Sequence, residues 1–347
     1  MKHTIFCMWV ALGVALASAI GMVGNAGAAE ALTGQTLKAV KARGQVVCGV
    51  SGNAPGFSLP DSKGVVRGID ADTCRMVAAA VFGDASKVKF VSLTPQQRLT
   101  ALQSGEVDML AANLTWTMSR ETVSGLEFAA IEYYDGAGFM VSKKLGVTSA
   151  ATQLNGASVC MLAGDAEATA QNYFGMHNEK FKAIVFSDGQ PLRAAFLAGR
   201  CDVYMTDAST LAGFRASLGP RGDNYILLPE LASREPLGTA VRKGDDKWFD
   251  IVRWSFFASV IAEEVGVNSH NVDQMLDSKN PAIRRLLGVD GGLGRGLGLD
   301  NKWAYNIVKT VGNYGEIWQR SFGVMGVPRG YNRLWSAGGL MYAPAMR

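Results

Sequence analysis

Histidine is scarce in this chain: three among 347 residues, His3, His177 and His270, each isolated in sequence. They cannot form an H-E-x-x-H zinc pattern, and neither G-x-x-x-x-G-K-[ST] nor G-x-S-x-G occurs. Cysteine is sparse too, five residues without a C-x-x-C, which argues against zinc-ribbon and thioredoxin-type sites. The net charge is only +4 and no basic block interleaves with aromatics, so nothing points to nucleic acid as a partner. Beyond the N-terminus no apolar run is long enough to cross a bilayer; the best, residues 248–262, is broken by Asp250 and Arg253. The glycine-rich stretch GGLGRGLGL at 291–299 lacks G-x-G-x-x-G spacing and a preceding strand, so it reads as a linker. No cofactor or metal set is put forward, and catalysis would need carboxylates distant in sequence to meet in space.

What is present is an ordinary globular composition, 48% hydrophobic and 18% charged, in a chain long enough for two cores. Lys2, an apolar run over residues 5–23 and the A-x-A pattern Ala26-Gly27-Ala28 read as a cleaved signal peptide, 1–28, which would carry Cys7 and His3 away. An exported protein from Ala29 onward is then expected. Four cysteines remain, Cys48, Cys74, Cys160 and Cys201, in an oxidising compartment. They allow three connectivities, or four free thiols. Pairing within each half of the chain favours Cys48–Cys74 and Cys160–Cys201.

The rest of the chain is organised around residues 94–120, TPQQRLTALQSGEVDMLAANLTWTMSR. Thr94, Pro95 and Gln97 form a helix-start signature, Gly105 suits a left-handed cap, and residues 107–112 read as a buried strand ending at Asn113. The pattern recurs 94 residues later, Ala101-Leu102-x-x-Gly105-x-x-Asp108 matching Ala195-Phe196-x-x-Gly199-x-x-Asp202, with Asp188 as the second N-cap and Asp207 standing opposite Asn113. Two similar α/β lobes are expected, each delivering polar groups from a strand end, where open α/β sheets bind ligands. The expected division is 29–140 with 236–266 for lobe 1, 141–235 for lobe 2, and 267–347 as a helical extension carrying most of the late aromatics. Two crossings near 139–143 and 236–241 would form the hinge.

The strand ends offer recognition of opposite charges. Arg120 can grip a carboxylate through two parallel bonds, Asn113 and Thr115 can add hydrogen bonds, and Asp207 can accept from an ammonium. Phe57, after the turn-rich loop 52–56, is a candidate apolar wall, and Trp116 lies within the same polar cluster.

Together with VVCGV, AAAVFGDASKVKF, RLTALQSGEVDML, TWT, YYDGAGFMV, AGRCDVYMTD, GDDKWFDIVRW, LGLDNKWAYNI, VGNYGEIW and GGLMYAP, these features make the chain resemble a family. It is similar to the periplasmic solute-binding proteins of polar-amino-acid ABC transporters, especially the general L-amino-acid-binding subgroup, from about residue 37 to 347. The resemblance implies a two-lobed, type II-like periplasmic binding protein with a two-strand hinge, an inter-lobe cleft and a helical C-terminal extension. It also implies a monomer without cofactor or enzymatic activity, capturing a small zwitterionic amino acid or derivative for an inner-membrane permease. On that resemblance Arg120 binds the ligand α-carboxylate, Thr115 and Asn113 assist, and Asp207 binds the α-amine. The chain departs from the subgroup at Ala112 and Leu114, where S-R-N-T-T-W-T is usual. It departs again at Ala163-Gly164-Asp165-Ala166-Glu167-Ala168, where T-G-T-T-T-E is usual. Asp165 places an acid where a carboxylate-facing helix N-terminus is expected. The other readings are a dehydratase-like secreted enzyme on the same fold, and a binding protein for an opine, small peptide or other modified amino acid.

Overall fold

The computed structural model describes residues 34–347; the signal peptide expected over 1–28, with Cys7 and His3, lies outside the described residues. The first passage comprises α1 (Gln35–Arg43), β1 (Val46–Val50), the hairpin β2 (Leu59–Pro60) and β3 (Val66–Arg67), and α2 (Ile69–Phe82). It continues through β4 (Val88–Ser92), α3 (Pro95–Ser104), β5 (Met109–Leu110), α4 (Met118–Thr122) and β6 (Leu126–Asp135). The second unit runs β7 (Ala137–Ser142), α5 (Ala150–Gln153), β8 (Ser158–Leu162), α6 (Asp165–Met176) and β9 (Lys182–Phe186). It ends with α7 (Gly189–Leu197), β10 (Val203–Asp207), α8 (Ala208–Ser217) and β11 (Tyr225–Leu227). The chain returns through β12 (Glu235–Arg242) and α9 (Asp246–Glu264) into α10 (Pro281–Leu286), α11 (Leu293–Leu297), α12 (Trp303–Thr310) and α13 (Tyr314–Ser321).

These strands form two five-stranded sheets, ordered β4-β1-β5-β12-β6 and β11-β7-β10-β8-β9. The chain changes sheet at Gly136 and again over residues 228–234. Both crossings fall short of the stretches 139–143 and 236–241 expected from sequence. Residues 137–141 already pair antiparallel with β10, and residues 235–242 pair with β6 in the first sheet. Residues 137–140 therefore pair in the second sheet. The Tyr133–Asp135 stretch continues β6, because Leu237, Pro236 and Glu235 of β12 pair with it, while on its other edge Asn332 from the C-terminal extension bonds both the N–H (2.7 Å) and the carbonyl (3.2 Å) of Tyr134.

The repeat is also physical. Thr94 and Gln97 close a capping box on α3, Asp188 accepts from the Gln190 N–H at the start of α7, and Gly105 and Gly199 both take left-handed φ, 80° and 71°. Asp108 then accepts from the Val47 N–H at 2.7 Å, and Asp202 from the Ser158 N–H at 2.8 Å. In each lobe the matched aspartate ties the strand after the helix to its parallel neighbour, β1 in the first and β8 in the second. Gly49 in β1 is required by close packing, since a Cβ there would lie 2.6 Å from Leu110.

Each lobe carries one disulfide, Cys48–Cys74 joining β1 to α2 and Cys160–Cys201 joining β8 to the segment before β10, with Cα separations of 6.1 and 5.7 Å. The first core gathers Trp248, Trp303, Tyr314, Trp318 and Phe322 onto α2 and the sheet, so much of the extension is part of this lobe. Tyr331 and Trp335, by contrast, remain 66% and 50% exposed. The second lobe has two smaller clusters, one around Phe139, Phe174 and Met205 and one around Phe196, Tyr204 and Phe214. No described helix is long and apolar enough to cross a membrane.

Candidate functional site

The ends of β5 and β10 face each other across the cleft. Asn113, just past β5, sits in the left-handed region at φ 42°, a conformation asparagine tolerates better than most residues. It is held there by its N–H donating to Asp70 at 2.9 Å and by its side-chain oxygen accepting from Ser51 Oγ. Its amide also faces Asp207 at the end of β10 and favours the charge on that carboxylate, so the two lobes meet here.

The carboxylates around this link are poorly balanced. Burial pushes Asp207 well above the ordinary range, and Asp135 and Glu235 add to the rise. Burial raises Asp135 to about 6, against the bonds it accepts from Ser209 and Gly136. Burial likewise raises Asp70 to about 7, opposed by the Asn113 N–H and the charge of Arg98. Asp207 forms no ion pair within 4.0 Å among the described residues, so the strand-end carboxylate is without a cationic contact.

Beside the link lies a cavity of about 160 Å³, lined from lobe 1 by Ser51, Asn53 and Arg98 and from lobe 2 by Arg193, Tyr204 and Thr206. Ser51 accepts from Arg98 at 2.7 Å, and Arg193 reaches across to the Asn53 carbonyl at 3.2 Å. Arg193 also lies over the Phe214 ring at 5.5 Å. A larger groove, about 400 Å³, lies between α8 and the extension at Met325–Pro328, away from both strand ends.

The residues expected at the site are thus partly assembled. Asn113 and Asp207 meet. Arg120 donates to the Thr115 carbonyl at 2.7 Å and to Asp165, the first residue of α6, at 2.5 Å, so its guanidinium joins the lobes through an internal carboxylate. The Thr115 contact uses backbone, not the hydroxyl that sequence reasoning offered. Phe57, expected to line the cleft, is 1% exposed and packs edge-on to Tyr133 and Phe322, because the loop holding it tucks under α13. Trp116 stacks on Phe128 at 5.3 Å and donates to Glu121, bordering a different groove with Phe256. Sequence reasoning missed Arg98, Arg193, Ser51 and Asp70. The available signal for the two arginines was their place near the starts of the two cleft-facing helices.

The profile of the bacterial extracellular solute-binding proteins, family 3, matches residues 46–265. The general L-amino acid-binding periplasmic protein AapJ of Rhizobium johnstonii is 48% identical, covering 96% of this chain and 98% of its own length. The glutamate/glutamine/aspartate/asparagine-binding protein BztA of Rhodobacter capsulatus is also 48% identical, over 93% and 95%. A periplasmic binding protein from Brucella ovis, solved with glutathione bound, superposes with a TM-score of 0.87 at 47% identity, covering 90% of this chain and 99% of that one. These close relatives are solute-binding transport proteins, not enzymes. With two lobes, two crossings and polar strand ends facing one cleft, this chain belongs to the bacterial extracellular solute-binding proteins, family 3.

Proposed function

We propose that this protein, after loss of residues 1–28, works in the periplasm as a monomer that captures a small amino acid between its lobes and delivers it to an inner-membrane ABC permease. Asp207, with Asn113 beside it, receives the ligand ammonium, and Arg120 receives the α-carboxylate with help from Thr115. One observation carries this reading: a buried strand-end carboxylate from lobe 2 faces an amide from lobe 1 and has no cation within ion-pair distance among the described residues. An ammonium supplies that charge, and the contact forms only when the lobes are together, which couples binding to closure. Asp165 holds Arg120 in the meantime, and being 73% exposed it can leave when a ligand carboxylate arrives.

A second reading keeps the module and enlarges the cargo to a small peptide or other modified amino acid; the glutathione bound by the Brucella ovis relative favours it. Mass spectrometry of ligand carried through purification, followed by calorimetric titration with that compound, separates the two. One equivalent retained unchanged supports capture. Steady conversion to product would instead support a secreted enzyme on this fold.

A further inference from the structure

The ammonium and α-carboxylate contacts proposed above leave the cavity's two other guanidiniums unused. Arg98 enters from α3 in lobe 1 and Arg193 from α7 in lobe 2, and both line the same space. Arg98 is anchored at one terminal nitrogen on Ser51 Oγ and Arg193 on the Asn53 carbonyl, with the Tyr204 hydroxyl also beside Arg193. Each also has its Nε buried with no acceptor. Six buried side-chain polar atoms lack a partner among the described residues, and the two that belong to cations are these two. Neither arginine forms an ion pair within 4.0 Å in the described residues, whereas nearby Arg120 has Asp165.

A buried charged donor without an acceptor is unfavourable, and two such donors from opposite lobes on one cavity call for an acceptor that enters it. Asp188 also lines the cavity, but its carboxylate accepts from the Gln190 N–H as the cap of α7. Asp70 and Asp207 favour the charge on Arg98 from outside ion-pair distance, while burial pulls its pKa down to about 10. A group that fits between two guanidiniums is planar, anionic and able to accept from both, which describes a carboxylate. At about 160 Å³ the cavity is below the roughly 300 Å³ of the smallest drug-sized sites, so the group must sit on a small ligand.

We infer that Arg98 and Arg193 form a second anion subsite, so that the preferred ligand is an amino acid carrying a further carboxylate remote from its ammonium. This rests on the amino-acid reading above. The remote carboxylate has two chemical sources, the side chain of an acidic amino acid or the end of a short γ-linked peptide. Because the two arginines come from opposite lobes, a carboxylate between them also holds the cleft closed, and specificity and closure use the same contact.

Calorimetric titration of the whole protein with L-glutamate against L-glutamine, and with γ-glutamylglycine against its C-terminal amide, tests the subsite and tells the sources apart. At least one acid should bind tenfold or more tightly than its own amide. Arg98→Gln and Arg193→Gln should each narrow that ratio to under threefold, and the Lys variants should restore part of it. The wild-type ratios decide the question even where a variant folds poorly. Amides binding as tightly as their acids, or binding confined to neutral amino acids such as leucine, overturns the inference and leaves amino-acid capture standing. Failure of every amino acid and γ-linked peptide to bind overturns both.

Discussion

The two lobes share one helix–glycine–aspartate–strand unit, yet they are finished differently. The first is sheathed by α2, α9 and the C-terminal helices, and Asn332 covers the free edge of β6. The second has smaller clusters, and its edge strand β9 keeps three of five residues exposed. The first lobe also encloses carboxyls that its burial disfavours, Asp70 and Glu132, both 2% exposed. In the second, Asp202 is drawn below the usual carboxylate range by its bonds from Ser158, and the carboxyl raised by burial, Asp207, stands at the cleft. A heavily packed lobe can hold charge under strain and serve as the fixed platform. The lighter lobe brings Asp207, Arg193 and Asp165 to it.

The largest expected effect tests whether the platform's Arg120 faces the ligand. Leaving a desolvated carboxylate unpaired costs roughly 3–5 kcal/mol, so Arg120→Ala should weaken binding by about two to three and a half orders of magnitude. Arg120→Lys should recover only part, for want of the planar fork. Ligand-free melting should hardly change, since Arg120's partner Asp165 is largely exposed. Near-wild-type affinity on titration would move the carboxylate site elsewhere.

Acidity sharpens the contrast between the lobes. Asp70 is raised to about 7 and Glu132 to about 8, in both cases chiefly by burial. Groups with raised folded pKa values favour the folded state while protonated, and that contribution is lost as pH rises through those values. The ligand-free protein should therefore lose stability, on the order of a few kcal/mol, between pH 5 and about 8.5. Amide hydrogen exchange, corrected for its intrinsic pH dependence, should show the loss in the first lobe. Asp202, shifted the other way, loses its contribution only below the ordinary carboxylate range, so in the second lobe only the end of β10 around Asp207, which burial also raises, should respond in this window. Equal losses in both lobes would contradict the assignment.

The smallest effect concerns Asp165. If it merely holds the place of a ligand carboxylate on Arg120, Asp165→Ala should raise affinity by up to about fivefold, the scale of a solvent-exposed ion pair. The gain should fade at high salt. A loss of affinity would mean that Asp165 itself contacts the ligand.

Local chemistry was legible in the sequence wherever it was repeated or punctuated. The capping box at Thr94 and the paired Asp108 and Asp202 read directly, because neighbouring residues determine them, whereas the within-lobe cysteine pairs, 26 and 41 residues apart, were only the favoured choice among three connectivities and free thiols. Asn113 and Asp207 were legible through the repeat, and the structure brings them into contact. Arg98 and Arg193 were not, because an arginine early in a helix looks the same whether it faces water or an opposing lobe. Phe57 misled for a related reason: an aromatic after a flexible loop fits a cleft wall, and only the position of Phe322, more than two hundred residues later, assigns it to the core.

The route of β12 has a consequence for assembly. This strand lies between β5 and β6, and it reaches them only after the whole second lobe has been threaded. Until it arrives, β5 and β6 lack their shared neighbour and the first sheet is divided. The second lobe is one continuous stretch, crosslinked across 41 residues of its own sequence. Contacts local in sequence form before those that must close a long loop. The smaller lobe is therefore the first to be complete, and the lobe with the larger core is the last to close.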